Sequence, residues 1–305
     1  MLLDSAEAFG EQATQYRSEL LVHCYRMLGT VHEAEDAVQE ALARAWQGRQ
    51  TFRRSISLRA WLYRIATNVC LNAIERRKRD IVEPGHAVSP FPDSLLTDPA
   101  ASEPGPEARY DAHESISLAF LTVLHLLPPR QRAVLILRDV LTFRATEVGA
   151  LLDMSVPAVN SALQRARATL RDSYSRPSQP PTDRAAPGLL EHYVRAWEAA
   201  DVTGLVSLLR EDAVLGMPPM PPVFGATHIG DFLAHSIFPN GPMRLVETHA
   251  NGCPAFAAYV KPHADRRFVL FALLVIAADD HRITRIDAFS DSRALAPFAL
   301  PAEPD

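Results

Sequence analysis

Apolar residues recur every three or four positions through most of residues 15–175, which is the spacing of amphipathic helices. In the region 58–79 the apolar stripe contains Leu58, Leu62, Ile65, Ala66, Val69 and Ala73. A second stripe of the same region contains Trp61, Arg64, Asn68, Asn72, Glu75 and Arg79. The pattern predicts one long helix whose second face suits single-stranded nucleic acid, because it combines cations, amides and an aromatic ring. A solvated polar face with a buried Trp61 is the plainer alternative.

The segment HEAEDAVQEALARAW, residues 32–46, predicts another amphipathic helix. Its apolar stripe contains Ala34, Ala37, Val38, Ala41, Leu42, Ala45 and Trp46. Glu33, Asp36 and Glu40 occupy the opposite side. Such an acidic face is either simply solvated or a docking surface for a basic partner.

Residues 127–175 show the spacing of a helix-turn-helix. The run LPPRQRAVLILRDV places a proline in a first helical turn, and a short helix (about 145–152), a tight turn (153–155) and a longer helix follow. In the longer helix the inward positions are Val159, Leu163, Ala166 and Leu170. The outward positions are Asn160, Ser161, Gln164, Arg167 and Arg171, with Arg165 at the edge. These side chains suit base edges and phosphates, whereas an ordinary helical hairpin is the alternative.

Two proline-rich stretches, residues 80–110 and 176–187, read as linkers. We therefore predict a helical domain at 1–80, an acidic linker at 81–114, a helix-turn-helix domain at 115–175, a short linker at 176–187 and a last domain at 188–305.

The pattern changes in residues 188–305. One helix buries Leu190, Tyr193, Val194 and Trp197, a short helix follows near 205–209, and strand-like runs cover 243–251, 254–262, 266–278 and 282–291. Helices followed by a curved antiparallel sheet predict an α+β cone. The run GMPPMPP, residues 216–222, is either an apolar lip over a pocket or a proline-stiffened loop.

Charge and cysteine content indicate which partners and which cellular compartment to expect. The net charge of −5 disfavours nucleic-acid binding, yet residues 44–79 hold ten basic residues and one acid, whereas residues 1–43 hold eight acids and two arginines. Cys24, Cys70 and Cys253 lie in apolar patterns and read as buried thiols of a reducing compartment. With neither a secretory signal nor a membrane-length apolar run, we expect a cytoplasmic protein without a membrane partner, metal or cofactor.

Three quoted segments carry a resemblance to a known family. EAEDAVQEALARAW, SLRAWLYRIATNVCLNAIERRKR and LPPRQRAVLILRDVLTFRATEVGALLDMSVPAVNSALQRARATLR resemble regions two and four of the extracytoplasmic-function sigma factors of bacterial RNA polymerase. The resemblance covers roughly residues 10–80 and 115–175. It implies two all-α sigma domains, and as partners core RNA polymerase (the β′ clamp helices and the β flap) and promoter DNA.

The resemblance also implies roles for residues. The polymerase-binding set is Asp36, Gln39 and Glu40. The set for −10 DNA is Arg54, Trp61, Arg64, Asn68, Asn72, Arg76 and Arg79. The set for −35 DNA is Val159, Asn160, Ser161, Gln164, Arg165 and Arg167. The acidic linker resembles the segment that follows the RNA path. Two residues depart from the family pattern: Asp153 stands where many relatives have glycine, and Arg54 replaces a small residue, which leaves the −10 preference open.

Residues 188–305 resemble the SnoaL-like superfamily, which includes polyketide cyclases and ketosteroid isomerases. Possible pocket residues are His192, Asp212, His249, Tyr259 and Asp287, although no acid–base pair has convincing spacing. We therefore expect a non-enzymatic domain that regulates the sigma factor through a small-molecule ligand or an intramolecular contact. Two alternatives remain: an isomerase- or cyclase-like enzyme fused to a nucleic-acid-binding module, and a plain helix-turn-helix repressor.

Overall fold

The computed structural model describes residues 6–52, 57–79, 88–96, 116–173, 188–262, 267–279 and 281–304. The chain forms two compact units. Residues 1–88 and 95–175 form the first, which we call the helical unit, and residues 89–94 and 176–305 form the second, which we call the sheet unit. The short segment 89–94 comes from the stretch predicted to be a linker, yet it packs as part of the sheet unit.

The helical unit contains eight described helices. They are α1 (Ala6–Gln15), α2 (Arg17–Leu28), α3 (Val31–Gly48), α4 (Leu58–Arg79), α5 (Leu118–Leu126), α6 (Pro129–Leu135), α7 (Ala145–Leu152) and α8 (Val156–Ser173). A π-helical turn at Ile136–Val140 extends α6. In this unit α4 packs against α2, α3, α6 and α7.

Helix α4 is buried more extensively than its single apolar stripe predicts. Tyr63, Thr67 and Cys70 are each fully buried, and they follow one another at helical spacing beside the predicted stripe. The Tyr63 ring meets the Phe143 ring edge to face at 5.5 Å. The Tyr63 hydroxyl donates to Glu19 Oε2 (3.1 Å). Tyr63 therefore joins α4 both to α2 and to the segment before α7.

The buried guanidinium of Arg132, on α6, fixes the contact between α6 and the end of α2. Its Nη1 donates to the carbonyl oxygen of Met27 (2.5 Å), and its Nη2 donates to the carbonyl oxygen of His125 (3.0 Å). The last carbonyls of a helix lack intrahelical donors and carry partial negative charge, so a cation is favourable there. Burial nevertheless lowers the pKa of Arg132 to about 10, with a further contribution from the positive charge of Arg77.

The described residues of the sheet unit form four α-helices and six strands. They are α9 (Leu189–Glu198), α10 (Val202–Leu208), β1 (Leu209–Met217), β2 (Met220–Phe224), α11 (Ala226–Phe232), β3 (Met243–Ala250), β4 (Cys253–Val260), β5 (Val269–Ala278), β6 (Ile283–Phe289) and α12 (Ser292–Leu295). The strand order is β2-β1-β6-β5-β4-β3. All neighbouring strands pair antiparallel except β1 and β6, which are parallel.

The sheet differs from the prediction in two respects. The strands β3 to β6 were predicted from the sequence but β1 and β2 were not, and the expected purely antiparallel sheet contains one parallel pair. The GMPPMPP run is the β1–β2 hairpin rather than a loop. Prolines disfavour a strand assignment because they cannot donate to a ladder, but β2 is an edge strand, where proline is tolerated.

The core of the sheet unit lies between the helices and one face of the sheet. Tyr193 and Trp197 of α9 pack there with inward residues of the strands, including Leu215, Phe256 and Leu274. Residues that alternate with these along the strands lie on the opposite face. The predicted α+β architecture is confirmed.

The buried histidine of the helical unit gives it a defined pH dependence. His23 and Thr67 approach at 2.9 Å, and the Thr67 hydroxyl donates to the Tyr63 carbonyl oxygen (2.7 Å), so His23 Nε2 is the donor in the first contact. Burial, together with the positive charges of Arg26 and Arg59, lowers the pKa of His23 to about 3. The unfolded chain therefore binds a proton more readily than the folded chain, and stability falls as the pH drops below about 6.5.

We predict that His23→Gln reduces this acid sensitivity, because the amide can still donate to Thr67 but does not titrate. Between pH 7 and pH 5 the wild type should lose about 2 kcal/mol more unfolding free energy than the variant. Urea unfolding of both proteins at the two pH values, followed by circular dichroism, measures the difference. Equal losses in the two proteins would show that His23 is not the titrating group.

Candidate nucleic-acid and partner interfaces

The acidic face of α3 is solvent-exposed. Thr30 caps the helix, since its hydroxyl oxygen accepts from the Glu33 backbone N–H (3.4 Å), and the stripe Ala34, Ala37, Val38 and Ala41 is buried. Asp36, Gln39 and Glu40 are all exposed on the opposite side. Glu40 pairs with Arg44 (2.7 Å), a surface contact one helical turn away that contributes little to stability. The three side chains thus form one accessible patch, which we call the α3 patch.

The polar face of α4 is only partly free in the helical unit. Asn72 and Arg76 are exposed, Asn68 is half-buried, and Arg64 pairs with Asp153 (3.2 Å). Arg54 lies outside the described residues. Arg79 ends α4, and its side chain lies outside the described part of the chain. Four of the seven residues expected at −10 DNA therefore lie along one side of this helix: Arg64, Asn68, Asn72 and Arg76.

Trp61 belongs to an aromatic cluster that was not predicted from the sequence. Its ring is 5.2 Å from Phe52 and 6.1 Å from Phe9, and Phe9 also lies 6.4 Å from Trp46. The Trp61 side chain is half-buried as a result. These contacts tie α1 and the end of α3 to the start of α4, so Trp61 has a packing role whatever else it contacts. Phe9 and Trp61 are far apart in sequence, so no local pattern indicated this contact.

The helix-turn-helix has the predicted bounds and a well-defined turn. Asp153 adopts the left-handed conformation (φ 53°, ψ 48°), and its backbone N–H bonds the Gly149 carbonyl at the end of α7. Aspartate tolerates this conformation better than most residues, so it can replace glycine there. Gly149 is needed for another reason, because a Cβ at this position would lie 2.7 Å from the Met154 carbonyl oxygen.

The outward face of α8 presents polar and cationic side chains. Asn160, Ser161, Gln164 and Arg165 are exposed. Arg167 is exposed but held by Asp139 through two hydrogen bonds (2.8 and 2.7 Å), which raise the pKa of its guanidinium. A groove of about 390 Å³ beside these residues is lined by Arg138, Asn160, Leu163, Gln164, Arg167 and Arg171.

One residue of the expected −35 set is corrected by the structure. Val159 is completely buried, so its side chain packs in the core between α8 and its neighbours and does not face solvent. Its position on the inward stripe of α8 already indicated this. The other five members of the set are exposed on α8.

The five possible pocket residues of the sheet unit do not form a common site. His192 and His249 are exposed, and so is Asp212, whose pKa is lowered by its hydrogen bonds with Arg210. Tyr259 and Asp287 are buried, but they alternate with the core residues of β4 and β6 and so lie on the opposite face of the sheet. The Tyr259 hydroxyl donates to the Pro301 carbonyl oxygen (2.6 Å), and Asp287 accepts two hydrogen bonds from Arg285.

Within the described residues, no group of three or more His, Cys, Asp or Glu side chains could hold a metal ion. Among the described helices, none combines the length and the apolar character that a membrane span requires.

Comparison with known proteins agrees with both units. The Sigma-70 region 2 family matches residues 13–80, the Sigma-70, region 4 family matches residues 117–170, and the SnoaL-like domain family matches residues 190–286. The ECF RNA polymerase sigma factor SigG of Mycobacterium tuberculosis is 39% identical over 317 aligned residues, which cover 96% of this chain and 84% of that protein. SigW of Bacillus subtilis is 32% identical and covers 54% of this chain.

A solved structure shares the whole architecture. The crystal structure of the Mycobacterium tuberculosis sigma factor SigJ superposes with a TM-score of 0.67 at 24% identity and covers 95% of this chain and 99% of that one. At this identity the likeness concerns the fold. Together with the SigG relationship, it shows that this chain belongs to the extracytoplasmic-function sigma factors, the alternative sigma factors of bacterial RNA polymerase, and carries a SnoaL-like domain at its C-terminal end.

Proposed function

We propose that the α3 patch docks this chain on the β′ clamp helices of core RNA polymerase. The helix-turn-helix then lies at the β flap of polymerase and reads the −35 sequence. The observation that carries the proposal is the exposure of two separate, chemically opposite surfaces on one helical unit: the acidic α3 patch and the basic, polar face of α8. A plain repressor needs the second surface but has no use for the first. The polar side of α4, with Asn68, Asn72 and Arg76, then faces the −10 strand.

The role proposed for Trp61 is broader than base stacking alone. Its ring already contacts Phe9 and Phe52, so it holds the start of α4 and the residues before it in place. An unpaired base could stack on the part of the ring that remains exposed. We propose that Trp61 supports strand opening through both effects, while the amides of α4 contact base edges.

The C-terminal domain regulates this activity by holding the linker. The Phe91 backbone N–H donates to Asn251 Oδ1 (2.8 Å), and the Asn251 N–H donates to the Phe91 carbonyl oxygen (2.9 Å). The Gly252 N–H donates to the Asp93 carboxylate (3.0 Å), and the Phe91 side chain is fully buried. We call this arrangement the linker clasp.

The linker clasp and the expected path of the linker exclude each other. A linker that follows the RNA path of polymerase has to release the backbone groups of Phe91 from Asn251 and expose the Phe91 ring, which is now buried. Release of the clasp therefore costs free energy that holoenzyme assembly has to supply. We propose that the clasp restrains the sigma factor, so that loosening it increases transcription.

The alternative of an isomerase- or cyclase-like enzyme gains no support from the candidate residues. Three of the five are solvent-exposed, and the two buried ones are already satisfied by Pro301 and Arg285. General acid–base chemistry needs at least one such group within reach of a bound substrate. The family assignment points to a transcription initiation factor rather than to an enzyme.

We predict that Asp36→Arg together with Glu40→Arg abolishes binding to core polymerase, because both carboxylates are exposed and their removal leaves the core of α3 intact. Co-purification with core polymerase measures the effect, and circular dichroism checks the fold. The matched control is Glu211→Arg with Glu247→Arg, which makes the same charge change at exposed positions of the sheet unit. Wild-type yield of the α3 double variant would remove the α3 patch from the interface.

We predict that Asn251→Gly loosens the linker clasp, because glycine keeps the left-handed backbone of this position (φ 56°) but lacks the amide that accepts from Phe91. One lost hydrogen bond of about 1 kcal/mol should raise the released fraction about fivefold. Proteolysis of the linker should accelerate, and run-off transcription should increase.

Asn240→Gly is the control for this experiment, since among the described residues the Asn240 amide donates only to the carbonyl oxygens of Ser236 and Ile237 in its own turn. It should leave both measurements unchanged. If Asn251→Gly accelerates proteolysis but leaves transcription at the wild-type level, the clasp exists without a regulatory role. Unchanged proteolysis would contradict the clasp itself.

A further inference from the structure

Asp139 holds Arg167 of α8 by two hydrogen bonds. Arg167 Nε donates to Asp139 Oδ2 (2.8 Å), and Arg167 Nη2 donates to Asp139 Oδ1 (2.7 Å). Both side chains stay accessible, since 56% of the Arg167 side chain and 30% of the Asp139 side chain are exposed. An accessible ion pair contributes little to stability, so stability alone does not account for a contact with this geometry.

Asp139 lies where a carboxylate is unfavourable unless a cation faces it. It belongs to the π-helical turn at Ile136–Val140, which extends α6, and the C-terminal end of a helix carries partial negative charge. The backbone of this turn is closed by a hydrogen bond from the Leu141 N–H to the Ile136 carbonyl oxygen (2.9 Å). The carboxylate is therefore held in place on one side by the turn and on the other by Arg167.

The contact with Asp139 leaves one edge of the Arg167 guanidinium free. A guanidinium has five N–H groups, and Asp139 accepts from the Nε–H and from one Nη2–H. The other Nη2–H and the Nη1–H beside it form a fork at the end of the side chain. Such a fork matches the O6 and N7 acceptors of guanine, the base that arginine contacts most often in the major groove.

The surroundings of this fork are cationic, and Asp139 is at odds with them. Arg167 lines the groove beside α8 together with Gln164 and two further arginines, Arg138 and Arg171. A carboxylate next to this groove repels the phosphates of any DNA, so Asp139 weakens binding that does not depend on sequence. It can still favour one sequence over another by controlling which contact Arg167 makes.

We propose that Asp139 is a specificity-determining positioning residue of the −35 reader. By occupying one side of the guanidinium, it keeps Arg167 from turning toward a phosphate and presents the Nη1–Nη2 fork to a guanine base. Arg167 thus contributes base preference, whereas Arg138 and Arg171 contact phosphates. The inference rests on the proposed function, since it requires α8 to lie in the major groove at −35.

The test uses holoenzyme formed from core polymerase and the full-length chain. The probe is double-stranded DNA from a promoter that this chain uses in run-off transcription, with the base pairs around −35 randomised and all others kept. Sequencing of the bound fragments gives the base preference at each position. Wild type should prefer guanine at one position by about tenfold, as expected for a bidentate contact, and Arg167→Ala should reduce that preference to less than about twofold.

The variant that tests Asp139 itself is Asp139→Asn, which removes the charge and one acceptor oxygen with little change in shape. It should lower the guanine preference at the position that depends on Arg167 by at least about threefold. It should also bind fragments with a scrambled −35 region as tightly as wild type or more tightly, because a negative charge near the phosphates is gone. A purely structural role for Asp139 would lower Tm and leave the base preference unchanged.

Asp172→Asn is the matched control. It makes the same charge change at an exposed position in the last turn of α8, and Asp172 is not the carboxylate that Arg167 bonds. This variant should keep the wild-type base preference at every randomised position.

Two results would overturn the inference and leave the proposed function standing. One is that Asp139→Asn keeps the full guanine preference, even if it tightens binding to all sequences equally, because Asp139 would then only repel DNA. The other is that Arg167→Ala changes no position at which wild type prefers guanine. If wild-type holoenzyme has no base preference around −35, the −35 function proposed for the helix-turn-helix is wrong, and the inference falls with it.

Discussion

Helix α4 has to bury two sides of its surface and keep a third side polar, and the helical unit is arranged around that requirement. On one side the aliphatic residues Leu62, Ala66 and Val69 are buried, and on the adjacent side Tyr63, Thr67 and Cys70 pack against residues of α2. The buried polar groups on the second side are satisfied by named partners: Glu19 for the Tyr63 hydroxyl, and the Tyr63 carbonyl and His23 for Thr67. Each of these hydrogen bonds forms at one position of α4 relative to its neighbours. They therefore fix the register of α4 and the direction of its polar side.

The arginines of this unit have different roles, because some are buried in the packing between helices and others remain exposed. Arg59 stacks on the rings of Tyr63 and Phe143 and bonds Glu19, so it is part of the packing. Arg132 binds the end of α2. Arg76 on α4 and Arg165 on α8 are exposed and available to a phosphate. A count of basic residues along the sequence cannot separate these groups, since burial and partners decide the role of each one.

Most of the architecture could be predicted from the sequence, because it depends on local patterns. The helix-turn-helix bounds at α7 and the strands β3 to β6 follow from periodicity and turn residues alone. The strand β2 could not be predicted, because its two prolines, Pro221 and Pro222, are tolerated only by its edge position, which is a property of the whole sheet. Trp61 and Phe9, and equally Phe91 and Asn251, are far apart in sequence, so their contacts have no local signature. The possible pocket residues were chosen by chemical type, and type does not show on which face of the sheet a residue lies.

The central claim is that this chain directs RNA polymerase to its own promoters, and run-off transcription with purified core polymerase on genomic fragments tests it most directly. The account predicts discrete transcripts that require the chain, with start sites that share sequence motifs near −10 and −35. Replacing Gln164 and Arg165 with alanine should weaken transcription from these same sites, since each lost base contact is worth about 1–3 kcal/mol. Transcripts identical to those of core polymerase alone, obtained with correctly folded chain, would contradict the account.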